Sequence, residues 1–466
     1  MKKIVKLSVA TAMLMGMGAV SAQAADGGLL TNIKVKGEIR ARYEMVDGDS
    51  YTGFTPKDTT TNPVTPAKNG HTVKHGNANA MTNRLVLGVG ADIAGTDWLS
   101  AYAEMTDVHS INNDNYKSTN NDNPNNKNVV ADPEQTRLTQ SYIDVKGGGA
   151  LLRAGRQMVN LDNQRFVGAV GWRQMPQTFD AYLLAYSGVE NLSLAAAYVT
   201  KVNRIFADDK DSLDTRSVIL HAGYKVADAL SITAYDYMLS AGTGGGNTGR
   251  GVGSDTIGIA FTGKPKLGDI VLNYRAEYAM MTDPSMENAG YKGKNDDVDA
   301  EYLNLELGMN MSGILAGIGY EVQSGMTDSE AAANKLNKGD YKTFSTALGT
   351  NHKFNGWADQ FLATPRQGLE DLNAHLGYKS KDFGVFKVVY HKFTSAEESI
   401  DYGSEVDAVY KRAIPGVKGL TGMLKFASYI GDDNEKDSTS ATGYDGSKSE
   451  DVQKFWVMLD YKFTSN

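Results

Sequence analysis

The chain has 466 residues, of which 41% are hydrophobic, and it carries a formal net charge of −8 and no cysteine. A net acidic chain is a poor partner for nucleic acid, and a chain without cysteine has neither disulfides nor Cys-ligated metal sites. The length permits one large domain or two to three ordinary ones, so composition alone does not decide the architecture.

The first 24 residues predict a secretory signal peptide. Lys2, Lys3 and Lys6 precede an uncharged run at 7–20, and small residues around Ala24 suit a signal peptidase. We expect cleavage after Ala24, which leaves one domain of residues 25–466 with a charge of about −11, because three lysines leave with the signal. No later run reaches about 18 apolar residues, so the sequence offers no transmembrane helix.

The segment 33–45 alternates between two kinds of side chain. Its odd positions read Ile, Val, Gly, Ile, Ala, Tyr and Met, whereas its even positions read Lys, Lys, Glu, Arg, Arg and Glu. This alternation predicts a strand with one apolar and one charged face. Strands of soluble sheets usually have about 5 to 6 residues, whereas a tilted membrane strand needs about 9 to 11. The length therefore favours a strand that crosses a bilayer.

The same pattern recurs along the chain and predicts eighteen strands. Short connections such as 94–97 follow the even-numbered strands, and long ones such as 159–177 and 323–368 follow the odd-numbered strands. Outer-membrane barrels sort their connections in this way. We therefore predict an all-β fold, an 18-stranded antiparallel transmembrane β-barrel with short periplasmic turns and long extracellular loops, with sixteen strands as the alternative. The predicted strands are 33–45, 80–93, 98–109, 136–146, 150–158, 178–187, 191–202, 215–226, 229–239, 254–262, 269–281, 300–311, 313–322, 369–379, 384–394, 401–412, 419–430 and 452–463.

The segment 112–126 is rich in Asn and Asp. It lacks the D-x-D-x-D-G spacing and the distal Glu of a calcium loop. A solvated loop is the favoured interpretation, because these residues also favour turns.

The connection after the fifth strand holds the densest set of directional side chains. Arg156, Arg165 and Arg173 can form forked hydrogen bonds with carboxylates. Those carboxylates could belong to Asp162 and Asp180, which would pin an inward-folded loop to the wall, or to an anionic solute in a constriction. The two uses remain open and can coexist.

Trp172, in the same connection, could stack on a passing sugar or fill a gap against Phe166. Arginines on the polar faces of the first two strands would add a basic stripe to the lumen, which would focus the field on a permeating ion. Acidic residues such as Glu44 and Asp407 fall on the same predicted face, so the lumen is mixed. The predicted pore-lining or constriction residues are Arg40, Arg42, Arg84, Arg156, Asp162, Arg165, Trp172, Arg173 and Gln174.

The longest connection supplies a candidate plug, made of His352, Lys353, Trp357 and Asp359. The alternative is an external loop with a small core of its own, to which Trp357 would also belong, beside Phe354 and Phe361. One histidine beside one aspartate does not make a catalytic zinc site, which takes three protein ligands. We expect neither a metal nor a cofactor.

Both connections resemble the signature of the alginate-export family of bacterial outer-membrane proteins. The resemblance implies an eighteen-stranded barrel and, for the family's namesake, passive export of an anionic polysaccharide through an arginine-lined pore, while many relatives are porin-like channels. The mixed charge of the predicted lumen departs from a uniformly positive channel. The segments that carry the resemblance are 155–157, 161–168, 171–174, 177–180, 351–359, 361–362, 364–365 and 368–371.

An enzyme is disfavoured, because the only adjacent His/Ser pair, His109–Ser110, lacks an identifiable third group. An adhesin would block its lumen with bulky residues, whereas predicted inward glycines such as Gly88 and Gly317 favour an open bore. We predict a channel of the bacterial cell outer membrane for passive diffusion of small hydrophilic solutes, anionic ones included. The alternative is a dedicated export channel for an acidic polysaccharide such as alginate. The expected partners are outer-membrane lipid, lipopolysaccharide, the barrel-assembly machinery and the solutes, and the oligomeric state is open.

Overall fold

The computed structural model describes residues 29–48, 76–112, 115–118, 127–206, 212–240, 253–285, 298–327, 329–330, 343–432 and 450–465. The predicted signal peptide and most of the Asn/Asp-rich segment lie outside these residues. Within the described ranges, no helix is long and apolar enough to cross a bilayer.

One antiparallel sheet accounts for nearly all regular structure in the described chain. Strand β11 has only two residues and pairs with β12 beside a turn, so eighteen strands build the wall. Each wall strand pairs with its neighbours in sequence, and β1 also pairs with β19, which closes the sheet into a barrel. The strands are β1 (Leu30–Gly48), β2 (Ala78–Ile93), β3 (Leu99–Ser110), β4 (Gln135–Gly147), β5 (Ala150–Gln157), β6 (Thr178–Tyr186), β7 (Leu192–Asn203), β8 (Ser212–Ala227), β9 (Leu230–Leu239), β10 (Ser254–Gly263), β11 (Lys266–Leu267), β12 (Ile270–Thr282), β13 (Asp299–Met311), β14 (Ile314–Gln323), β15 (Leu369–Ser380), β16 (Gly384–Thr394), β17 (Asp401–Ala413), β18 (Leu420–Ile430) and β19 (Val452–Thr464).

The prediction of eighteen strands is confirmed, and the sixteen-strand alternative is wrong. The first strand is longer than predicted, because β1 runs to Gly48 and stays paired with β19 up to that residue. Closure matters physically, since it gives every strand a hydrogen-bonding partner on both sides and leaves no open edge toward lipid.

The two faces of the wall differ as the alternation predicts. On β1, Ile39 is 49% exposed, whereas its neighbour Arg40 is 7% exposed and Arg42 is 2% exposed. Large apolar residues such as Tyr182 and Leu372 are likewise exposed on the outer face. The charged face therefore lies inside the barrel and the apolar face outside.

The inward glycines have a different role from the one predicted. A Cβ atom on Gly88 would lie 2.2 Å from the Tyr102 hydroxyl oxygen, and one on Gly317 would lie 2.5 Å from His375 Cε1. These glycines make room for bulky side chains of the neighbouring strands. They are therefore no evidence for an open bore.

Candidate functional site

Two long connections enter the barrel from the end that carries the long loops. We call residues 158–177 the first insert and residues 343–368 the second insert. Gln177 of the first insert donates hydrogen bonds from Nε2 to the carbonyl oxygens of Gly168 (2.9 Å) and, in the second insert, Leu348 (3.0 Å). The two inserts are thus bonded to each other as well as to the wall.

Aromatic rings of the wall form the seat of the first insert. Phe166 lies with its ring centroid 5.4 Å from Tyr235 and 5.2 Å from Tyr302 on the wall, and 5.8 Å from Phe344 of the second insert. The interpretation that Trp172 fills a gap against Phe166 is wrong, because Trp172 stacks on His352 at 4.6 Å.

The second insert is also seated on the wall. Phe361 packs against Phe393 of β16 at 4.4 Å and against Tyr402 of β17 at 5.8 Å. The alternative of an external loop with its own core of Phe354, Trp357 and Phe361 is therefore wrong. The apolar residues of this insert are used to attach it to the lumen wall.

Arg165 joins both inserts to the wall. Its side chain is 1% exposed, and Nη2 donates to Glu321 Oε1 at 2.5 Å and to Asn355 Oδ1 at 2.7 Å. Burial lowers the pKa of Arg165, but Glu321 and Tyr302 together raise it more, so the net pKa lies above its usual value and the guanidinium stays charged. The expected partners Asp162 and Asp180 are not the ones used.

Arg173 occupies the centre of a second buried network, again without Asp162 or Asp180. Its Nη1 lies 3.1 Å from Glu44 Oε2 and 3.8 Å from Asp132 Oδ2, and its Nη2 lies 3.1 Å from Asp359 Oδ2. Burial alone would lower the pKa of Arg173, but these three carboxylates together raise it above its usual value. Arg173 therefore remains a cation that ties the first insert to β1 and to the second insert.

Neighbouring groups support the same network. Arg42 of β1 bonds to Asp132 and donates to the Trp172 carbonyl oxygen at 2.7 Å. Gln174 donates its backbone N–H to Asp132 at 2.8 Å and its side-chain amide to Thr82 Oγ1 at 2.9 Å. Both predicted residues, Arg42 and Gln174, thus hold the first insert against the wall.

His352 links the second insert to β18 through a defined tautomer. Its Nδ1 lies 2.5 Å from Asp359 Oδ1, and Lys425 Nζ lies 2.7 Å from its Nε2. An ammonium can only donate a hydrogen bond, so His352 Nε2 is the acceptor from Lys425. The ring proton is therefore on Nδ1, which donates a hydrogen bond to Asp359. Burial lowers the pKa of His352 to about 3, which keeps this imidazole neutral.

Asp359 is the shared acceptor of this region. Burial would raise the pKa of Asp359, but contact with His352, Lys454 and Arg173 holds it well below its usual range. Lys454 Nζ lies 2.8 Å from Asp359 Oδ2. Asp359 is therefore a carboxylate that connects the second insert to β19 and to the first insert.

Three tryptophans surround the Lys425 ammonium. Its Nζ lies 3.9 Å from the ring centroid of Trp357, 4.2 Å from that of Trp172 and 5.2 Å from that of Trp456. One indole comes from each insert and one from β19. Cation–π attraction at this site therefore holds three separate segments together.

Two wall carboxylates bind the backbone of the second insert. Glu405 Oε1 accepts the N–H of Ala358 at 2.7 Å, and Asp407 Oδ2 accepts the N–H of Trp357 at 3.2 Å. The preceding Gly356 has φ of +82°, and a Cβ there would lie 2.3 Å from Glu405 Oε2. Only glycine allows this close approach without strain.

Below the inserts, the arc of β1, β2 and β19 carries a mixed group of charges. Arg40 Nη2 lies 2.9 Å from Glu38 and 3.6 Å from Asp460, and Arg84 Nε lies 3.5 Å from Glu38. Arg40 also donates from Nη1 to the Gly171 carbonyl oxygen at 3.1 Å. Both arginines are thus wall residues, and Arg40 adjoins the tip of the first insert.

The structure corrects the prediction for Arg156. Arg156 is paired across the sheet with Ser141 and Asp180, and it shares the outward parity of Leu152, which is 45% exposed. Its Nε and Nη2 donate to Asp180 at 2.7 and 2.9 Å. This agrees with the predicted alternative in which Asp180 is a carboxylate partner of these arginines. Arg156 therefore lies on the outer face of the wall and does not line the lumen.

The two remaining predicted residues lie within the barrel, away from the charged networks. Asp162 Oδ2 lies 3.0 Å from His221 Nε2 of β8. Lys353 is exposed and donates from Nζ to the Asn163 carbonyl oxygen at 2.8 Å, so it bridges the inserts. No group of three His, Cys, Asp or Glu able to hold a metal occurs among the described residues.

Sequence reasoning missed Asp132, Asn355 and Lys425. Lys425 had a usable signal, because it alternates with apolar residues on β18 and so belongs to the charged inner face. Asp132 and Asn355 lie in irregular segments, where no periodicity indicates direction.

A closed barrel of eighteen strands, apolar outside and charged inside, with external loops folded into its lumen, has the architecture of an outer-membrane porin. The chain belongs to the alginate export family, whose model, described as "Alginate export", matches residues 68–431. None of the curated proteins matches the chain. The protein is accordingly a β-barrel of the bacterial outer membrane.

Solved structures show the same fold at low sequence identity. Pseudomonas aeruginosa OpdK with vanillate is 13% identical, with a TM-score of 0.63 over 94% of this chain and 100% of OpdK. Acinetobacter baumannii OccAB4 is 13% identical, with a TM-score of 0.64 over 94% of this chain and 99% of OccAB4. Pseudomonas aeruginosa OccK8 (OprE) is 14% identical, with a TM-score of 0.63 over 94% and 100% of the two chains.

Proposed function

We propose that this protein is a passive channel for small hydrophilic solutes, anions included, in which the two inserts narrow the lumen. One observation carries the proposal: both inserts lie inside the barrel and are held there by buried ion pairs to the wall and to each other. An insert fixed in this way would narrow the lumen and so restrict the size of a permeating solute. The described residues form the wall, the inserts and their attachments, and passive diffusion requires no further part.

A modest preference for anions is supported by the arc below the first insert. Four cations lie on the inner face near three carboxylates. The cations are Lys36, Arg40, Arg84 and Lys462, and the carboxylates are Glu38, Glu104 and Asp460. Lys36 and Lys462 are the accessible members of this set, and 59% of the Lys462 side chain is exposed. Charges that line a low-dielectric passage focus the field on a permeating ion, so the excess of cations favours anions.

Planar-bilayer recordings of purified protein test both statements. We expect stable conductance and a reversal potential on the anion-selective side in a salt gradient. The double variant Lys36→Gln with Lys462→Gln should move the reversal potential toward zero, whereas Arg216→Gln on the outer face of β8 should not. Absence of conductance would refute the channel, and cation selectivity of the unaltered protein would refute the anion preference.

The second candidate is a dedicated export channel for an acidic polysaccharide, and the description of the family model, "Alginate export", lends it support. Uptake of a size series of uronic acid oligomers into liposomes separates the two candidates. A small-solute channel should exclude all but the shortest oligomers. Passage of long oligomers at rates near that of the monomer would favour the exporter.

Catalysis is not part of this proposal. His109 and Ser110 are adjacent on β3 and so face opposite sides of the wall. The His109 side chain is 60% exposed and pairs with Glu134 at 3.0 Å, while Ser110 is buried. The two side chains therefore cannot act as a nucleophile and its base.

A further inference from the structure

Entry of the first insert into the lumen leaves a gap in the outer rim of the wall. Arg156 pairs with Ser141, and beyond that pair β4 continues for six residues to Gln135, while β5 ends one residue later at Gln157. The chain then turns inward. The gap between the tops of β4 and β7 encloses about 340 Å³, and we call it the rim notch.

Cations dominate the charged residues that line the rim notch. They are Arg137, Arg156, Lys201 and Arg204, against one lining carboxylate, that of Glu134. Asn203 and Ser212 add neutral polar groups to the lining. Such a set of side chains suits a multiply charged anion with several oxygen acceptors.

The cations of the rim notch are held in different ways. Arg137 donates to the carbonyl oxygens of Arg204 and Phe206, both at 2.8 Å, and so bridges the top of the notch. Arg156 is oriented by Asp180 in the two-bond contact described above. Lys201 Nζ lies 3.8 Å from Asp214, whose side chain is 67% exposed. Among the described residues, the Arg204 guanidinium has no partner.

The height of the rim notch along the wall matches the level of lipid head groups. On the outer face, Tyr182 is paired with Tyr198, and they are 60% and 40% exposed. Aromatic residues of this kind mark the boundary of the apolar belt in outer-membrane barrels. The next outward pair toward the loop end is Asp180 with Lys201, of which Lys201 lines the notch.

We propose that the rim notch binds the phosphate-bearing head group of an outer-leaflet lipid, whose acyl chains lie along Tyr182, Leu184 and Tyr198. Arg204 and Lys201 would bond to the phosphate, because within the described residues the Arg204 guanidinium has no partner and Lys201 has only the 3.8 Å contact with Asp214. Arg156 is already oriented for contact by Asp180. Arg156 and Lys201 of the site lie on the outer face of the wall, so this inference does not depend on the proposed channel function.

Native mass spectrometry of the full-length protein in a non-ionic detergent tests the proposal without any variant. The probes are a bis-phosphorylated lipid A, its dephosphorylated form, and inorganic phosphate. We expect retention of the phosphorylated lipid, at least tenfold weaker retention of the dephosphorylated form, and no displacement by millimolar phosphate. Equal retention of both lipids would show that only the apolar belt binds, and displacement by phosphate would show a free-phosphate site. Either result would overturn the proposal.

Variants then locate the site. Lys201→Gln and Arg204→Gln should each weaken retention of bis-phosphorylated lipid A about fivefold, as expected for one cation at a membrane surface. Lys392→Gln is the matched control, because Lys392 lies on the outer face at the same end of the barrel, far from the notch, with 38% of its side chain exposed. Lys201→Arg keeps the positive charge and should retain binding of bis-phosphorylated lipid A. Loss of binding in Lys201→Gln but not in Lys201→Arg would then reflect the missing charge and not misfolding. Unchanged binding in the double Gln variant, or an equal loss in the control, would refute the assignment.

Discussion

Replacing Arg173 with methionine removes the central cation of the first insert while nearly keeping its volume. Glu44 and Asp359 each lose a contact of 3.1 Å, and Asp132 loses one of 3.8 Å. Removing one partner of a buried ion pair typically costs about 3 to 5 kcal/mol. If that cost falls on the attached state of the insert, the detached fraction rises about a hundredfold to a few thousandfold.

The barrel itself should be unaffected by Arg173→Met, because the wall is closed by strand pairing that does not involve the insert. The expected result is therefore a higher mean conductance with frequent current fluctuations, at an unchanged temperature of barrel unfolding on a heat-modifiability gel. Arg216→Met, on the exposed outer face of β8, is the control and should leave the current unchanged.

The opposite pattern would refute the reasoning. If Arg173→Met shifted the reversal potential while current amplitude and fluctuation stayed the same, Arg173 would act on the permeating ion and not as an attachment. Its 6% exposure makes the attachment role the expected one.

Three further predictions concern the same inserts. The pKa of His352 is lowered to about 3, so the neutral ring stabilises the attached state of the second insert fully above about pH 6.5. That stabilisation is lost as the pH falls from about 6.5 toward 3. Current fluctuation should therefore rise on acidification in the unaltered protein but not in His352→Gln. Gly356→Ala should displace the second insert from Glu405 and raise fluctuation at neutral pH, whereas Ala358→Gly should have a smaller effect. Lys425→Met should loosen the packing of Trp172, Trp357 and Trp456 and shift tryptophan emission to longer wavelength. An unshifted emission spectrum would show that the Lys425 ammonium does not hold these three indoles together.

The fold could be predicted from the sequence because one physical demand acts on every strand. Lipid offers no hydrogen bonds, so the wall must be a closed sheet whose apolar residues recur at every second position. That demand leaves a signal in each strand, as the alternation from Ile39 to Glu44 shows. The lengths of the connections supply a second signal of the same kind.

The site could be predicted only in part, because the inserts have no periodicity. The sequence indicates that Arg165 and Arg173 need carboxylates, but their choice of Glu321 and Glu44 depends on the path of the insert through the lumen. Arg156 is different, because strand alternation places it on the opposite face of β5 from Arg153. Arg153 lies on the inner face, where its Nε is 2.7 Å from Asp144 Oδ1. Extending the parity of β5 to its last residues would have placed Arg156 outside.

The attachments of the inserts specify position more than they add stability. Buried ion pairs gain little net free energy, because desolvation of the charges offsets their attraction. The aromatic seats around Phe166 and Phe361 supply the apolar burial, and they also keep water from the neighbouring carboxylates. An apolar seat alone would tolerate small shifts, whereas a displaced insert would leave Arg165 and Arg173 buried without partners. A fixed lumen cross-section therefore requires both the aromatic seats and the buried ion pairs. Removal of the charge of Arg165 or Arg173 should accordingly cause current fluctuation before it causes unfolding of the barrel.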